Sequence, residues 1–216
     1  MLKTANALDR EIDEIFKNPV YDGITSITNY LKATKRILWI LKEANKSSQK
    51  DSWYHRDFHK DITVYNKWKA TYKRIIYTSY GILNNQRNWY KIPWIQNDST
   101  INDINVMKQI AIININKSGG TSVSDNSFIQ KVYVEKKNFI LKQIKSIEPD
   151  IIINCSSVYE LTEDLKNIYK LRKNKYSYSS NQIILLEAYH SNARNITDEE
   201  YFNGIVKPVL RWYNKT

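Results

Sequence analysis

Four short aliphatic runs constrain this chain more than any other feature: Arg36 to Leu41, Ile110 to Ile115, Asp150 to Asn154 and Gln182 to Leu186. Each is bounded by polar or turn-forming residues and is of strand length. None alternates strictly between apolar and polar positions; the segments IAIINI and DIIIN are apolar at successive residues. A strand with one wet face alternates, whereas a strand covered by helices on both faces does not. The pattern therefore predicts an α/β fold, a three-layer α/β/α arrangement around a four-stranded parallel sheet.

The intervening segments supply the covering helices. Between the second and third runs, Asn126 to Ile147 carries Phe128, Val132, Phe139, Ile140, Ile144 and Ile147 at helical spacing among lysines. Ala7 to Phe16 and Ile24 to Leu31 read as helices before the first strand, and Val158 to Leu171 can cross from the third strand to the fourth. Thr197, with Glu200 three residues on, forms a capping-box pattern that opens a carboxyl-terminal helix, which Pro208 is expected to kink or end. At 216 residues the chain has the length of one domain.

The connection from the first strand to the second is longer than a simple crossover needs. From Trp53 to Trp94 it holds 11 of the 27 aromatic residues, interleaved with His55, Arg56, His59, Lys60, Lys67, Lys69, Lys73, Arg74, Arg87 and Lys91. Such a mixture suits stacking on bases and neutralising phosphates; taken singly, Trp68, Tyr72 and Ile75 better fit the buried stripe of a helix. The formal net charge of +11 favours an acidic polymer as partner. Cys155, the single cysteine, excludes an intrachain disulfide, fits a reducing cytoplasm and reads as a buried structural thiol. No apolar run approaches a membrane span and the amino-terminal segment lacks the apolar core of a secretory signal, so no membrane is expected. His55 and His59 have a spacing also used for metals, but no third ligand accompanies them, so no metal is expected.

In an open parallel sheet, ligands sit beyond the carboxyl ends of the strands. Here those ends are polar: Lys42, Glu43, Ala44 and Asn45 after the first strand; Asn114 through Gly120 after the second; Asn154, Cys155, Ser156 and Ser157 after the third; Tyr189 through Arg194 after the fourth. Adjacent Gly119 and Gly120 suggest a tight turn where something approaches the backbone.

These residues give the chain a resemblance to the uracil-DNA glycosylase superfamily. ILWILKEAN places Glu43 where that family carries an acidic or amide residue after an apolar strand. Asn114-Ile-Asn-Lys117-Ser is similar to the family's Asn-Val-Val-Lys-Cys, and LLEAYHSNAR puts His190 where the family has the histidine of a Tyr-His-Pro-Ser loop. Ser191 stands in place of the loop proline, the proline of the first motif is absent, and the insertion at 53–94 has no counterpart. The cysteines of the iron-sulphur branch are missing, so no cofactor is expected.

The resemblance implies a monomeric glycosylase acting on duplex or single-stranded DNA, which flips out uracil or a modified pyrimidine and hydrolyses its N-glycosidic bond, in repair or in defence against modified foreign DNA. Cleavage leaves positive charge on the sugar and negative charge on the base. His190 is the candidate donor to the departing base, and Glu43 the candidate that orients or deprotonates water. Asn114 is the candidate reader of the base, Asn116 can exchange roles with it, and Asn45 lies beside them. Phe58 is the nearest candidate to stack on the flipped base, with Trp53 and Tyr54 as rivals. Lys117, Ser118, Ser156, Ser157, Ser191 and Asn192 are expected at phosphates, with Arg194 filling the gap left in the stack. Two other readings stay open: a nucleic-acid binding module without turnover, and a hydrolase or transferase acting on a free nucleoside.

Overall fold

The computed structural model describes residues 5–45, 53–54, 62–93, 105–120 and 124–215. A seven-stranded mixed sheet runs in the order β2 (Gly23–Ile24), β5 (Ile110–Gly120), β3 (Ile37–Asn45), β6 (Ile151–Asn154), β9 (Ile184–Glu187), β8 (Tyr178–Ser179), β7 (Arg172–Lys173). The pairings β5 to β3, β3 to β6 and β6 to β9 are parallel; those at both margins are antiparallel. A separate two-residue parallel pairing joins β1 (Val20–Tyr21) to β4 (Trp53–Tyr54). The sheet thus differs from the expected four-stranded parallel one. Its marginal strands are two residues long, too short to carry a readable periodicity, and they cover edges that would otherwise present unpaired backbone groups.

Alternate residues of the inner strands feed two separate cores. Ile37, Trp39 and Leu41 of β3, with Ile110 and Ile112 of β5, Ile151 and Ile153 of β6, and Ile184 and Leu186 of β9, pack against α3 (Ile62–Leu83) and α6 (Asp198–Tyr213). Leu38, Ile40, Ala111, Ile113, Ile115, Ile152 and Leu185 pack on the other side, against α1 (Ala5–Ile15), α2 (Ile27–Lys32), α4 (Asn126–Ile147) and α5 (Tyr159–Tyr169). Successive side chains of a strand point to opposite faces. Helices on both faces therefore require an apolar residue at every position, which is why these runs do not alternate.

Helix α4 spans the residues expected of it, and Asp125 caps it by accepting from the Ser127 amide. Its Phe128 departs from the expected buried stripe, being 48% exposed. Helix α6 has both halves of its capping box and continues through Pro208 to Tyr213 rather than ending. A proline inside a helix costs about 3 kcal/mol. Burial of Val209 and Leu210 beyond it returns about 1.5–3 kcal/mol each, so the helix persists.

The long connection is partly a core element. Tyr72, Ile75, Ile76 and Tyr77 of α3 and the following Trp89 are buried, with the Trp89 ring against Phe202 of α6. At Gly81 a Cβ would collide with the Phe202 ring, so glycine permits the close approach of the two helices. Among the described residues, no helix is long and apolar enough to cross a membrane.

Candidate functional site

The two longest strands run further than their apolar cores. β3 continues through Glu43 to Asn45, and β5 continues through Gly120, with Glu43 opposite Asn116 and Asn45 opposite Gly120 across an irregularity in register. Residues 116–120, expected as a loop with a tight glycine turn, are strand instead. The glycine at 120 has a different use: a Cβ there would overlap the Glu43 carboxylate. That carboxylate accepts from Asn116 Nδ2 at 3.0 Å, and Asn116 Oδ1 accepts from the Ser118 amide at 3.1 Å. Glu43, Asn116, Ser118 and Gly120 share a cavity of about 420 Å³ with Phe16, Phe128 and Asp125.

Asn114 and Lys117 lie elsewhere. Both are buried, together with Asp22 from the turn between β1 and β2. One Asp22 carboxylate accepts from the Asn114 amide (2.7 Å), Asn114 Nδ2 (3.3 Å), Gln143 Nε2 (3.0 Å) and Lys117 Nζ (2.7 and 2.9 Å), and Lys117 also donates to the Asn114 carbonyl at 3.0 Å. A buried charge is tolerated when it is paired and hydrogen-bonded in this way. Lys117 has no surface to offer a phosphate, and Asn114 is engaged by a structural carboxylate. Asn116, not Asn114, is the amide beside Glu43. Sequence inspection missed Asp22, whose short turn carries no chemical signature.

The second cavity, about 580 Å³, lies on the other side of the β3 tip. Lys42, Asn154, Ser157, Glu187, Tyr189, His190 and Tyr201 contribute to it. The chain passes from β3 outward to β5 and then back across to β6, so β3 and β6 flank the point where strand order reverses. That crevice is where open α/β sheets hold ligands. His190 Nδ1 accepts from the Asn192 amide at 3.2 Å. In the neutral ring this leaves the proton on Nε2, as a donor. Burial, and secondarily the positive charge of Lys42, hold the His190 pKa below the ordinary 6.5. A neutral imidazole with one available donor can stabilise negative charge developing on an oxygen.

Glu187, absent from the sequence reading, is one of two exposed carboxylates lining this second cavity, with Glu200, and accepts from Thr162 Oγ1 at 3.0 Å. Asn154 donates to the same Thr162 oxygen at 3.2 Å, so β6, α5 and β9 are linked at their polar ends. Three residues before His190, Glu187 stands just past the strand expected to end at Leu186, and in the structure it is the last residue of β9.

The loop after His190 is clamped from α3. Arg74 donates to the carbonyls of Ala193 and Ile196 and to Asp198, each at 2.7 Å, while Lys73 pairs with Asp198 at 2.7 Å. Tyr201 donates its hydroxyl to the Tyr189 carbonyl at 3.1 Å, and the Arg74 guanidinium lies 5.1 Å from the Tyr201 ring centre. Lys73 and Arg74, grouped in the sequence with cations for phosphates, are thus committed within the protein.

The remaining candidates divide by exposure. Ser157, Asn192, Arg194 and Ser118 are exposed. Ser156 is buried, bonds Asn154 at 2.6 Å and accepts from the Val158 amide, so it caps the turn into α5 rather than facing a phosphate. Ser191 is buried and its hydroxyl makes no hydrogen bond among the described residues, which removes it from the outer surface of the loop. Cys155 is buried 3.5 Å from the Tyr201 hydroxyl, and burial pushes its thiol up to about 12, so it is protonated and unreactive. Phe58, His55 and His59 lie outside the described residues, as do the side chains of Asn45, Trp53 and Tyr54. No family model matches the chain, and no curated protein matches it.

Proposed function

We propose that this chain is a metal-independent DNA glycosylase that hydrolyses the N-glycosidic bond of an extruded uracil or modified pyrimidine and leaves an abasic site. The observation that carries the reading is His190: a neutral imidazole with Nδ1 occupied and Nε2–H available, in a cavity of about 580 Å³ at the carboxyl end of the inner strands. The volume lies within the range of about 300–1,000 Å³ usual for small-molecule sites. In this reading Nε2–H donates to a base carbonyl oxygen as the C–N bond breaks, and electrons of that bond leave with the base.

Glu43 is the proposed water-orienting carboxylate, with Asn116 fixing its rotamer. Lys42 and Glu43 are neighbours in sequence and line the two different cavities, so only the tip of β3 separates them. In this reading a nucleotide seated across that tip must reach both. Asn192 and Arg194, exposed on the clamped loop, and Ser157 are the proposed contacts to the strand from which the base is drawn.

The test is incubation of purified protein with single-stranded and duplex oligonucleotides bearing uracil or other altered pyrimidines, followed by alkaline cleavage and mass spectrometry of released bases. Strand scission after alkali, reduced about 10²–10⁴-fold by Glu43→Gln or His190→Ala, is the expected outcome. Absence of scission with every base tested overturns it.

A second reading is a nucleic-acid binding module without turnover. The observation that favours it is that Glu43 and His190 line cavities with no residue in common. Salt-sensitive DNA binding unchanged by the same two substitutions, with no base released, selects this reading.

A further inference from the structure

The margin of the sheet formed by β7 and β8, away from both cavities described above, carries an unneutralised basic surface. Lys175 and Tyr176 in the turn between these strands, with Pro208, Arg211, Trp212 and Lys215 from the end of α6 and beyond, line a cleft of about 300 Å³ that contains no carboxylate. Lys175, Arg211 and Lys215 are exposed, and Tyr176 is 60% exposed. The segment from Lys170 to Leu186 contains no acidic residue at all.

Some exposed or half-exposed cations of the described structure are paired, Arg36 with Asp150, Lys137 with Asp164, Lys142 with Glu11 and Lys166 with Glu163, and others stand singly on the surface. The three cations of the cleft make no ion pair among the described residues. A helix dipole accounts for a basic residue in a last turn, hence for Arg211. It does not account for Lys175, which comes from the turn between β7 and β8. Part of the cleft lining is apolar. Pro208 supplies part of it, and Trp212 is fixed by an indole bond to the Ser180 carbonyl at 2.8 Å, while the Tyr176 ring stands exposed with Lys175 Nζ 5.0 Å from its centre.

Unpaired cations around an exposed aromatic ring are the equipment with which proteins hold a single nucleic-acid strand, phosphates against the cations and a base on the ring. We propose that this cleft is an accessory, sequence-independent binding surface for single-stranded nucleic acid. It shares with the proposed function only the class of partner, and it would stand if no base were ever released.

Fluorescence anisotropy of the full chain with a labelled oligothymidylate, which contains no altered base, tests it from about 50 to about 200 mM salt. The charge-reversal variant Lys175→Glu/Arg211→Glu/Lys215→Glu is expected to lose more than about tenfold in affinity and to lower the log–log salt slope by about 2, at roughly 0.7 per phosphate contact on a single strand. Tyr176→Ala alone is expected to weaken binding about five- to hundredfold with the salt slope unchanged. All four residues are exposed, and unaltered circular dichroism and melting temperature identify the folded variants.

Affinity and slope equal to those of the native chain in both variants overturn the proposal. So does binding to vesicles containing phosphatidylserine that the triple variant abolishes while oligonucleotide binding is unaffected, an outcome that assigns the surface to an anionic membrane. Base release measured on the same variants at saturating protein separates the two readings: its loss with Glu43→Gln and retention with the triple variant leaves each to stand or fall alone.

Discussion

Two groups of polar residues lie at the ends of neighbouring strands, and they differ in how they are closed. Around β5, Asn114 and Lys117 are sealed by Asp22 and Gln143, with every charged atom answered inside the protein. Around the tips of β3 and β9, Lys42, Glu187 and His190 face a cavity, and His190 keeps one donor uncommitted. In sequence both read alike, as polar residues after an apolar run. The difference teaches that a polar strand end marks a site only where no partner arrives to satisfy it, and the partner here comes from 92 residues away.

Breaking the sealed group should have the largest effect on stability. Asp22→Asn leaves Lys117 as an uncompensated buried charge and should cost about 3–5 kcal/mol in chemical denaturation, whereas Lys42→Met on the open side should stay within about 0.5 kcal/mol. Equal losses would dissolve the distinction between the two groups.

Next is the clamp on the open side. Arg74→Ala removes three charge-assisted bonds at residues 193, 196 and 198 and should cost about 2 kcal/mol. Hydrogen exchange should show faster opening confined to the loop after His190, with the Asp22 neighbourhood unchanged.

Gly120→Ala should be milder for stability, about 1 kcal/mol, because the obstructed group is the end of a flexible glutamate. Its cost should appear in base release, which is expected to fall about as far as with Glu43→Gln, since the carboxylate must leave its place beside Asn116.

The smallest effect is that of pH. His190 titrates below 6.5 in the folded chain, so as pH falls through 6.5 the unfolded chain takes up its proton first and stability declines until the folded pKa is passed, then levels. Denaturation midpoints of the native chain and His190→Gln should diverge only in that acid window. Base release should persist below pH 6.5 for the same reason, and a fall beginning above it would contradict a half-buried neutral imidazole.

Much of the fold was legible. Unbroken β-branched runs announced strands covered on both faces, and α4 is bounded by residues 126 and 147 as its spacing implied. The marginal strands were not legible, since a two-residue strand is defined by its neighbour and not by its own pattern. The ends of β3 and β5 were misjudged because polar residues were taken as loop, when continued ladder pairing keeps them extended. Of the candidate residues, Glu43 and His190 do face cavities, but Glu187 was not singled out and Arg74 was assigned to phosphates rather than to the loop it clamps. An aspartate-pairing arginine on a helix looks no different, in one dimension, from an arginine meant for phosphate.

The sequence by itself determined where apolar density lies and therefore which segments must be buried, because transfer of apolar surface from water is local and nearly additive along the chain. Only the tertiary structure decided which polar groups are spent on one another. Hydrogen bonds and ion pairs need donor and acceptor within about 3 Å, and for Asp22 with Lys117, Arg74 with the His190 loop, and Gly120 beneath Glu43 that proximity exists only once distant strands and helices have met.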